Sequence, residues 1–368
     1  MNKYNVKIYN EELLKKDYTS YVLGVDIGGT HTNLCIAGVK KLKPNLLFSF
    51  NYQTIDLKSI VPPVKSILEY AKNNHGIQVD FACIGAAGVV SPKNDHVFLT
   101  NAKWELSSKE LTDETFLKSV YIINDFQAIG YAINILDIDN KNQLFQIRPG
   151  QNKSHNKKNT KVVIGAGTGL GKCILTYDDY FNVYIPISSE GGNTDFPIHN
   201  DFEKNLVDFV KKLRGISQPL TYEELLSGRG IKAIYEFIRK SNRFSQSNFT
   251  EEIDDTVEKT PLISKYRDSD ETCKETFRLF SLFFARCAKN YVLDTLAIGG
   301  LYIAGGIAMK NKEIFSTKQF ISEFNNAYRY TDFLKKVPIN IITDYDVSLL
   351  GSCYAAIYKY FIKKEESD

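Results

Sequence analysis

The stretch Tyr21-Val22-Leu23-Gly24-Val25-Asp26-Ile27-Gly28-Gly29-Thr30-His31-Thr32-Asn33-Leu34-Cys35-Ile36-Ala37 decides the fold. An apolar run ends in an acid, a glycine pair and a threonine follow, and a second apolar run begins at Asn33. No helix fits between the two runs, so they read as a β-hairpin with a glycine turn. The pattern returns in the second half as strand Lys161-Val162-Val163-Ile164, turn Gly165-Ala166-Gly167-Thr168-Gly169, and a further strand over 170–176. The two copies lie too far apart for a solenoid period. They predict two similar α/β domains facing each other across a cleft, a preferred place for a ligand.

Working outward from the first hairpin, residues 46–52 supply a third strand. Residues 60–72 have helical spacing, with Val64, Ile67, Leu68 and Ala71 on one face. Buried strands follow at 81–86 and 120–123, then a helix at 126–136. Around the second hairpin, residues 183–187 read as a strand and 201–297 as mainly helical. Strands at 301–307 (running into a glycine turn) and 339–343 precede a last helix at 349–362. The expected division is a loosely attached polar arm at 1–20, a small α/β domain at 21–136, a crossover loop at 137–160 and a large α/β domain at 161–348. The C-terminal helix, 349–364, is expected to pack back on the small domain. The polar, basic loop 151–161 inside the crossover carries no assigned role.

Composition excludes several classes. Of 368 residues, 43% are hydrophobic and 24% charged, enough to bury a sizeable core and to exclude wholesale disorder. With 46 basic against 43 acidic residues, charge alone gives no reason to expect nucleic acid or a membrane surface as partner. No apolar run approaches the roughly 18 residues of a spanning helix, and the polar start lacks the apolar core of a secretory signal. Cys35, Cys83, Cys173, Cys273, Cys287 and Cys353 form no C-x-x-C pair, which argues against a zinc cluster and for a reduced, cytoplasmic chain. The five histidines have no metal-ligand spacing; His31 alone, beside Thr30, is placed to touch a phosphate.

Six motifs carry chemistry, each with a plainer rival. The glycines of Asp26-Ile27-Gly28-Gly29-Thr30 bare backbone N–H groups to a phosphate, the Thr30 hydroxyl adds a donor, and Asp26 can hold Mg²⁺ through water. The rival is an ordinary tight turn. Gly165 to Lys172 fits neither a P-loop nor a dinucleotide fingerprint. Its glycines alternate, and a strand rather than a helix follows. It reads as a second hairpin-type phosphate turn, with Gly167 and Thr168 at its tip, or as a plain β-turn. Gly305-Gly306 either opens beneath an adenine ring or starts a helix. Asn124-Asp125 ends a buried strand, and Asp125 is either a helix cap or a general base. Glu190, ahead of Gly191-Gly192-Asn193, either accepts two sugar hydroxyls or is a solvated turn acid. In Thr221-Tyr222-Glu223-Glu224, capping-box spacing assigns Glu224 to the helix start, leaving Glu223 as the ligand candidate.

The order of these motifs resembles the bacterial-type glucokinase family of actin-like (ribonuclease H-like) ATPases and sugar kinases. The resemblance covers about residues 20–360. It rests on residues 24–33, Ile122-Ile123-Asn124-Asp125-Phe126-Gln127-Ala128, 165–171, Glu190-Gly191-Gly192, 223–230 and 303–307, with Leu349-Leu350-Gly351-Ser352 near the end. It implies two actin-like domains and ATP-dependent phosphorylation of glucose at its 6-hydroxyl, a glycolytic step. It further implies Asp125 as base; Asn124, Asp125, Glu190, Asn193 and Glu223 as sugar ligands; and Asp26, Gly28, Gly29, Thr30, Gly167, Thr168, Gly305 and Gly306 around ATP and Mg²⁺. Glucose, ATP and a second copy of the chain are the expected partners. One departure stands out: the family usually has histidine where this chain has Asn193. Two rivals follow, a kinase of mannose or an amino sugar, and a non-enzymatic nucleotide-dependent scaffold. A pure nucleotide switch needs no sugar carboxylates, so Asp125, Glu190 and Glu223 together discriminate against the scaffold.

Overall fold

A computed structural model of the chain describes residues 4–99, 104–150 and 158–363. Residues 151–157 of the basic loop, the first three residues of the expected arm and residue 364 of the expected last helix lie outside the described residues. By compactness the chain divides into two units. The first comprises Met1–Asp137, Leu175–Ser188 and Asp344–Asp368, and the second Ile138–Ile174 and Ser189–Thr343.

The first unit contains β1 (Asn5–Ile8), β2 (Ser20–Ile27), β3 (His31–Lys40), β4 (Lys43–Gln53), β5 (Phe81–Ala86), a small hairpin of β6 (His96–Phe98) and β7 (Glu105–Ser107), and β8 (Ser119–Asn124). Its main sheet has the order β1-β4-β3-β2-β5-β8. The hairpin partners β2 and β3 are antiparallel, with Asp26 opposite Asn33, while β2, β5 and β8 run parallel. The parallel strands therefore deliver Asp26 and Asn124 to one edge, where such sheets bind ligands. The helix Val61–His75 covers this sheet. Pro62 and Pro63 fit its first turn, where amide hydrogens have no partner anyway. Gly76 ends it at φ 65°, a left-handed position that suits glycine.

A second sheet, with β9, β10, β13 and β14 in the second unit, is built from β9 (Leu144–Arg148), β10 (Lys161–Ala166), β11 (Leu170–Asp178), β12 (Val183–Ser189), β13 (Gly300–Ala304) and β14 (Ile339–Ile342). Its order is β12-β11-β10-β13-β14-β9. Five consecutive strands repeat the order of the first sheet: β4-β3-β2-β5-β8 corresponds to β12-β11-β10-β13-β14. The core of this unit is the helix Glu271–Thr295, whose Phe277, Phe280, Phe283 and Phe284 are buried.

Three differences from the sequence reading have local causes. The polar start is no loose arm: Asn5–Ile8 pairs antiparallel with β4, and Tyr4 stacks on Phe50 at 4.2 Å. The crossover holds β9, which pairs with β14 although its alternation of apolar and polar residues is short. Residues 175–188, expected in the large domain, belong to the first unit.

The C-terminal helix Val347–Ile357 fixes the first sheet. Its Ser352 hydroxyl donates to Val25 O at 3.0 Å. A Cβ on Gly24 would stand 2.5 Å from Cys353 Sγ, and one on Gly351 would overlap the carbonyl oxygen of Ala128. Both glycines are therefore close-approach positions. We expect Gly351→Ala to lower unfolding free energy by about 1–3 kcal/mol, the usual cost of overpacking. Gly306→Ala, where nothing lies within 4 Å, should leave it unchanged. Urea titration of both variants checks this, and equal stabilities would contradict it.

Candidate active site

In the first unit the site residues gather at the ends of β2 and β8. The turn after β2 is closed by Gly28 N–H donating to His31 O at 2.9 Å, and Thr54 backs it. The Thr54 hydroxyl donates to Gly28 O (2.8 Å) and its N–H to Thr30 O (2.9 Å). Gly29 and Thr30 are exposed. His31 is turned to Gln53, 3.4 Å away.

Asn124 resolves one ambiguity of the sequence. It is the cap of the helix Asp125–Ala132: its Oδ1 accepts from Phe126 N–H at 2.9 Å, and its own N–H donates to Gln127 Oε1 at 3.1 Å. Its amide nitrogen donates to Gly88 O at 3.4 Å. Capping thus falls to Asn124, while Asp125, one residue on, is half-buried and accepts from Phe126 N–H.

Asp26 is pushed up to about 7 from an ordinary value near 3.8. Desolvation is the main cause and the charge of Asp125 the second, while a hydrogen bond from Asn33 opposes them. A desolvated carboxylate next to a second acid is an arrangement that a divalent cation relieves, so these residues fit Mg²⁺. Among the described residues no cluster of three or more His, Cys, Asp or Glu could enclose a metal. Asp26 with water ligands is the matching reading.

In the second unit the site residues converge on Leu170. The turn after β10 is closed by Gly167 N–H to Gly169 O, 2.9 Å, and Gly228 N–H donates to Gly167 O at 2.9 Å. Glu223 reaches this turn: its Oε2 accepts from Leu170 N–H at 2.9 Å. A Cβ on Gly169 would meet that oxygen at 2.6 Å, so a side chain there would displace the Glu223 carboxylate. On the neighbouring parallel strand β13, Gly305 follows at φ 92°, and a Cβ on it would meet Ala166 O at 2.5 Å. Gly306 and the exposed Thr168 are open.

Glu190 is exposed and starts the short turn Gly191–Asn193. Asn193 Nδ2 donates to Glu190 Oε2 at 3.3 Å, so part of its amide is spent on Glu190 itself. Gly192 packs on Leu170 O. Tyr222 N–H donates to Thr194 O at 3.0 Å, tying this turn to the helix that carries Glu223.

Sequence reasoning missed the supports. Glu224 does not cap its helix, since Thr221 makes no side-chain cap bond; instead it pairs with Arg214 and Arg229. The mistake came from spacing, which cannot see two arginines arriving from elsewhere in the chain. Lys172, read as part of a continuing strand, is buried beneath the Glu190 turn. Its ammonium sits 4.8 Å from the centre of the Tyr291 ring and 5.6 Å from that of Tyr222. Asn33 and Gln127 carried no signal beyond their positions next to motifs.

A duplicated α/β sheet whose strand ends carry glycine turns and acids defines the class, an actin-like protein of the sugar-kinase kind. The family pattern described as Glucokinase matches residues 23–358. A glucokinase of Trichormus variabilis is 32% identical over 349 residues, covering 91% of this chain and 98% of that one. The structure is similar to that of Balamuthia mandrillaris glucokinase in complex with glucose, with TM-score 0.76, 20% identity, and 92% and 93% of the two chains covered. It is also similar to a ROK family glucokinase from Streptomyces griseus in complex with glucose and AMPPNP, with TM-score 0.64, 18% identity, and coverage of 92% and 99%. The chain belongs to the glucokinase family. No helix among the described residues is long and apolar enough to cross a membrane.

The folded value of Asp26 lies above its unfolded one, so its contribution to stability is complete below about pH 4 and is lost as pH rises through about 7. In protein freed of metal by EDTA, Asp26→Asn should therefore become progressively more stable than wild type between pH 4 and 7. The gain should level off at about 2 kcal/mol, discounted for the water contact the residue keeps. Thermal unfolding across that range checks this, and a difference independent of pH would contradict it.

Proposed function

We propose that this chain transfers the γ-phosphoryl group of ATP to the 6-hydroxyl of glucose, giving glucose 6-phosphate and ADP, with Asp125 as base. Family membership supports the reaction and the substrates. The observation that carries the assignment of Asp125 is its pairing with Asp26. The two acids share one sheet edge and their charges interact, while Asn124 does the capping.

In this reading each unit contributes ligand groups. Glu190, Glu223, Asn193 and Asn124 hold sugar hydroxyls. Gly28, Gly29 and Thr30, with Gly167 and Thr168, hold the phosphates, and Gly305 and Gly306 lie by the adenosine. Asp26 would hold Mg²⁺ through water, and that ion supplies neutralisation of phosphate charge. Asp125 accepts the proton of the 6-hydroxyl as its oxygen bonds to the γ-phosphorus. The bond from that phosphorus to the β–γ bridging oxygen breaks, and its electron pair leaves on ADP. Asp125 then gives the proton to solvent. Free, buried thiols throughout support a reducing, cytoplasmic setting. The homodimer is proposed alongside, and light scattering decides it.

A second reading, a kinase of another hexose, is favoured by one observation. Asn193, which replaces the family's usual histidine, is partly occupied by Glu190. ADP release with glucose, mannose and glucosamine separates the two readings. ADP release independent of any sugar would sink both.

Asp125→Asn keeps the shape of the side chain and removes its basicity. We expect kcat to fall roughly 10²–10⁴-fold, with both substrate KM values and thermal stability little changed. Retention of more than about a tenth of wild-type kcat would rule Asp125 out as the base.

A further inference from the structure

Arg229 stands where helix physics does not call for it. It is the second residue of the helix Gly228–Lys240, whose first turn contains no acid. A cation there opposes the positive end of the helix dipole. Its guanidinium is instead aimed backwards, with Nη2 2.7 Å from Glu223 Oε1 and 2.7 Å from Glu224 Oε1. Arg214 steadies the assembly by donating to Arg229 O at 2.9 Å and Glu224 O at 3.1 Å. The other oxygen of Glu223, Oε2, takes the Leu170 N–H of the glycine turn. Both oxygens of one carboxylate are thus fixed by donors from different segments. A carboxylate has about four acceptor sites, so it keeps acceptor capacity for a ligand while its plane cannot turn.

We propose that Arg229 is a positioning residue for sugar binding: it locks Glu223 Oε1 so that the carboxylate meets a sugar hydroxyl without first being ordered. This rests on the reading of Glu223 as a sugar ligand. The split between the two oxygens makes the role selective. Removing Arg229 frees Oε1 but leaves Oε2 on the glycine turn, so sugar binding should suffer and nucleotide binding should not. Both bonds leave from the one nitrogen Nη2, so a lysine ammonium could restore the charge and part of the bonding, but not the fixed direction that the planar guanidinium gives.

The test is steady-state kinetics of Arg229→Gln, Arg229→Lys and Glu223→Gln with glucose and ATP varied separately. The Arg229 side chain is 47% exposed at a helix start, so both substitutions should fold, and thermal melting confirms it. We expect Arg229→Gln to raise the glucose KM about threefold to tenfold, the effect of roughly one hydrogen bond. The ATP KM and kcat should stay within about twofold. Arg229→Lys should recover part of the loss. If Arg229→Gln leaves the glucose KM unmoved while Glu223→Gln raises it, Glu223 binds sugar unaided and the proposal is overturned, though the sugar-ligand reading stands. Equal increases for both substrates, or no recovery with lysine, would mark Arg229 as a general scaffold residue and overturn it too. If Glu223→Gln itself leaves the glucose KM unmoved, Glu223 is not a sugar ligand and both ideas fall.

Discussion

The first unit's strand ends depend on how closely the C-terminal helix Val347–Ile357 can approach the sheet and the helix Asp125–Ala132. Gly24 on β2 removes a β-carbon that would meet Cys353, and Gly351 removes one that would overlap Ala128 O on the helix Asp125–Ala132. Ser352 then reaches Val25 O, the residue next to Asp26. Close packing of this kind has few alternative arrangements, because a shift of a few tenths of an ångström meets backbone atoms rather than flexible side chains. At the neighbouring strand end, partial desolvation is the main cause of the raised Asp26.

The glycine turn of the second unit is held by polar bonds instead. Its centre is a backbone amide, Leu170 N–H, which binds Glu223, while Gly192 rests on the carbonyl of the same residue. Gly167 accepts from Gly228 at the start of the next helix, and Ser227 both caps that helix and donates to Glu223 O at 2.8 Å. The short stretch Glu223–Gly228 is therefore not only a ligand-bearing segment. It is the support on which the glycine turn rests, so a change at Glu223 disturbs the turn.

The strand–turn–strand repeat, the glycine turns and the acids at strand ends were legible because each is local. Period-two apolar runs and glycine pairs declare themselves within ten residues. What escaped was what depends on distant chain. β9 is a short strand that exists because β14 offers it an edge, and β1 is polar and exposed yet paired. The role of Asp125 was ambiguous in sequence, since an acid that opens a helix can cap it. Backbone geometry decided it, because Asn124 holds the extended conformation a cap requires while Asp125 is already helical. Glu224 was misread because capping-box spacing is common, and two arginines outweigh it.

Duplication supplied the same backbone twice, and the two copies differ in charge. Aligning Thr30 with Thr168 sets Asp26 against Ile164, so only the first copy carries an acid ahead of its turn. That acid is met by a neutral amide, Asn33. The acid that reaches the second turn, Glu223, comes from a helix and is met by a guanidinium. The same strand order thus carries two electrostatic solutions: a desolvated acid that an amide only partly offsets, and an acid whose charge is matched by an arginine.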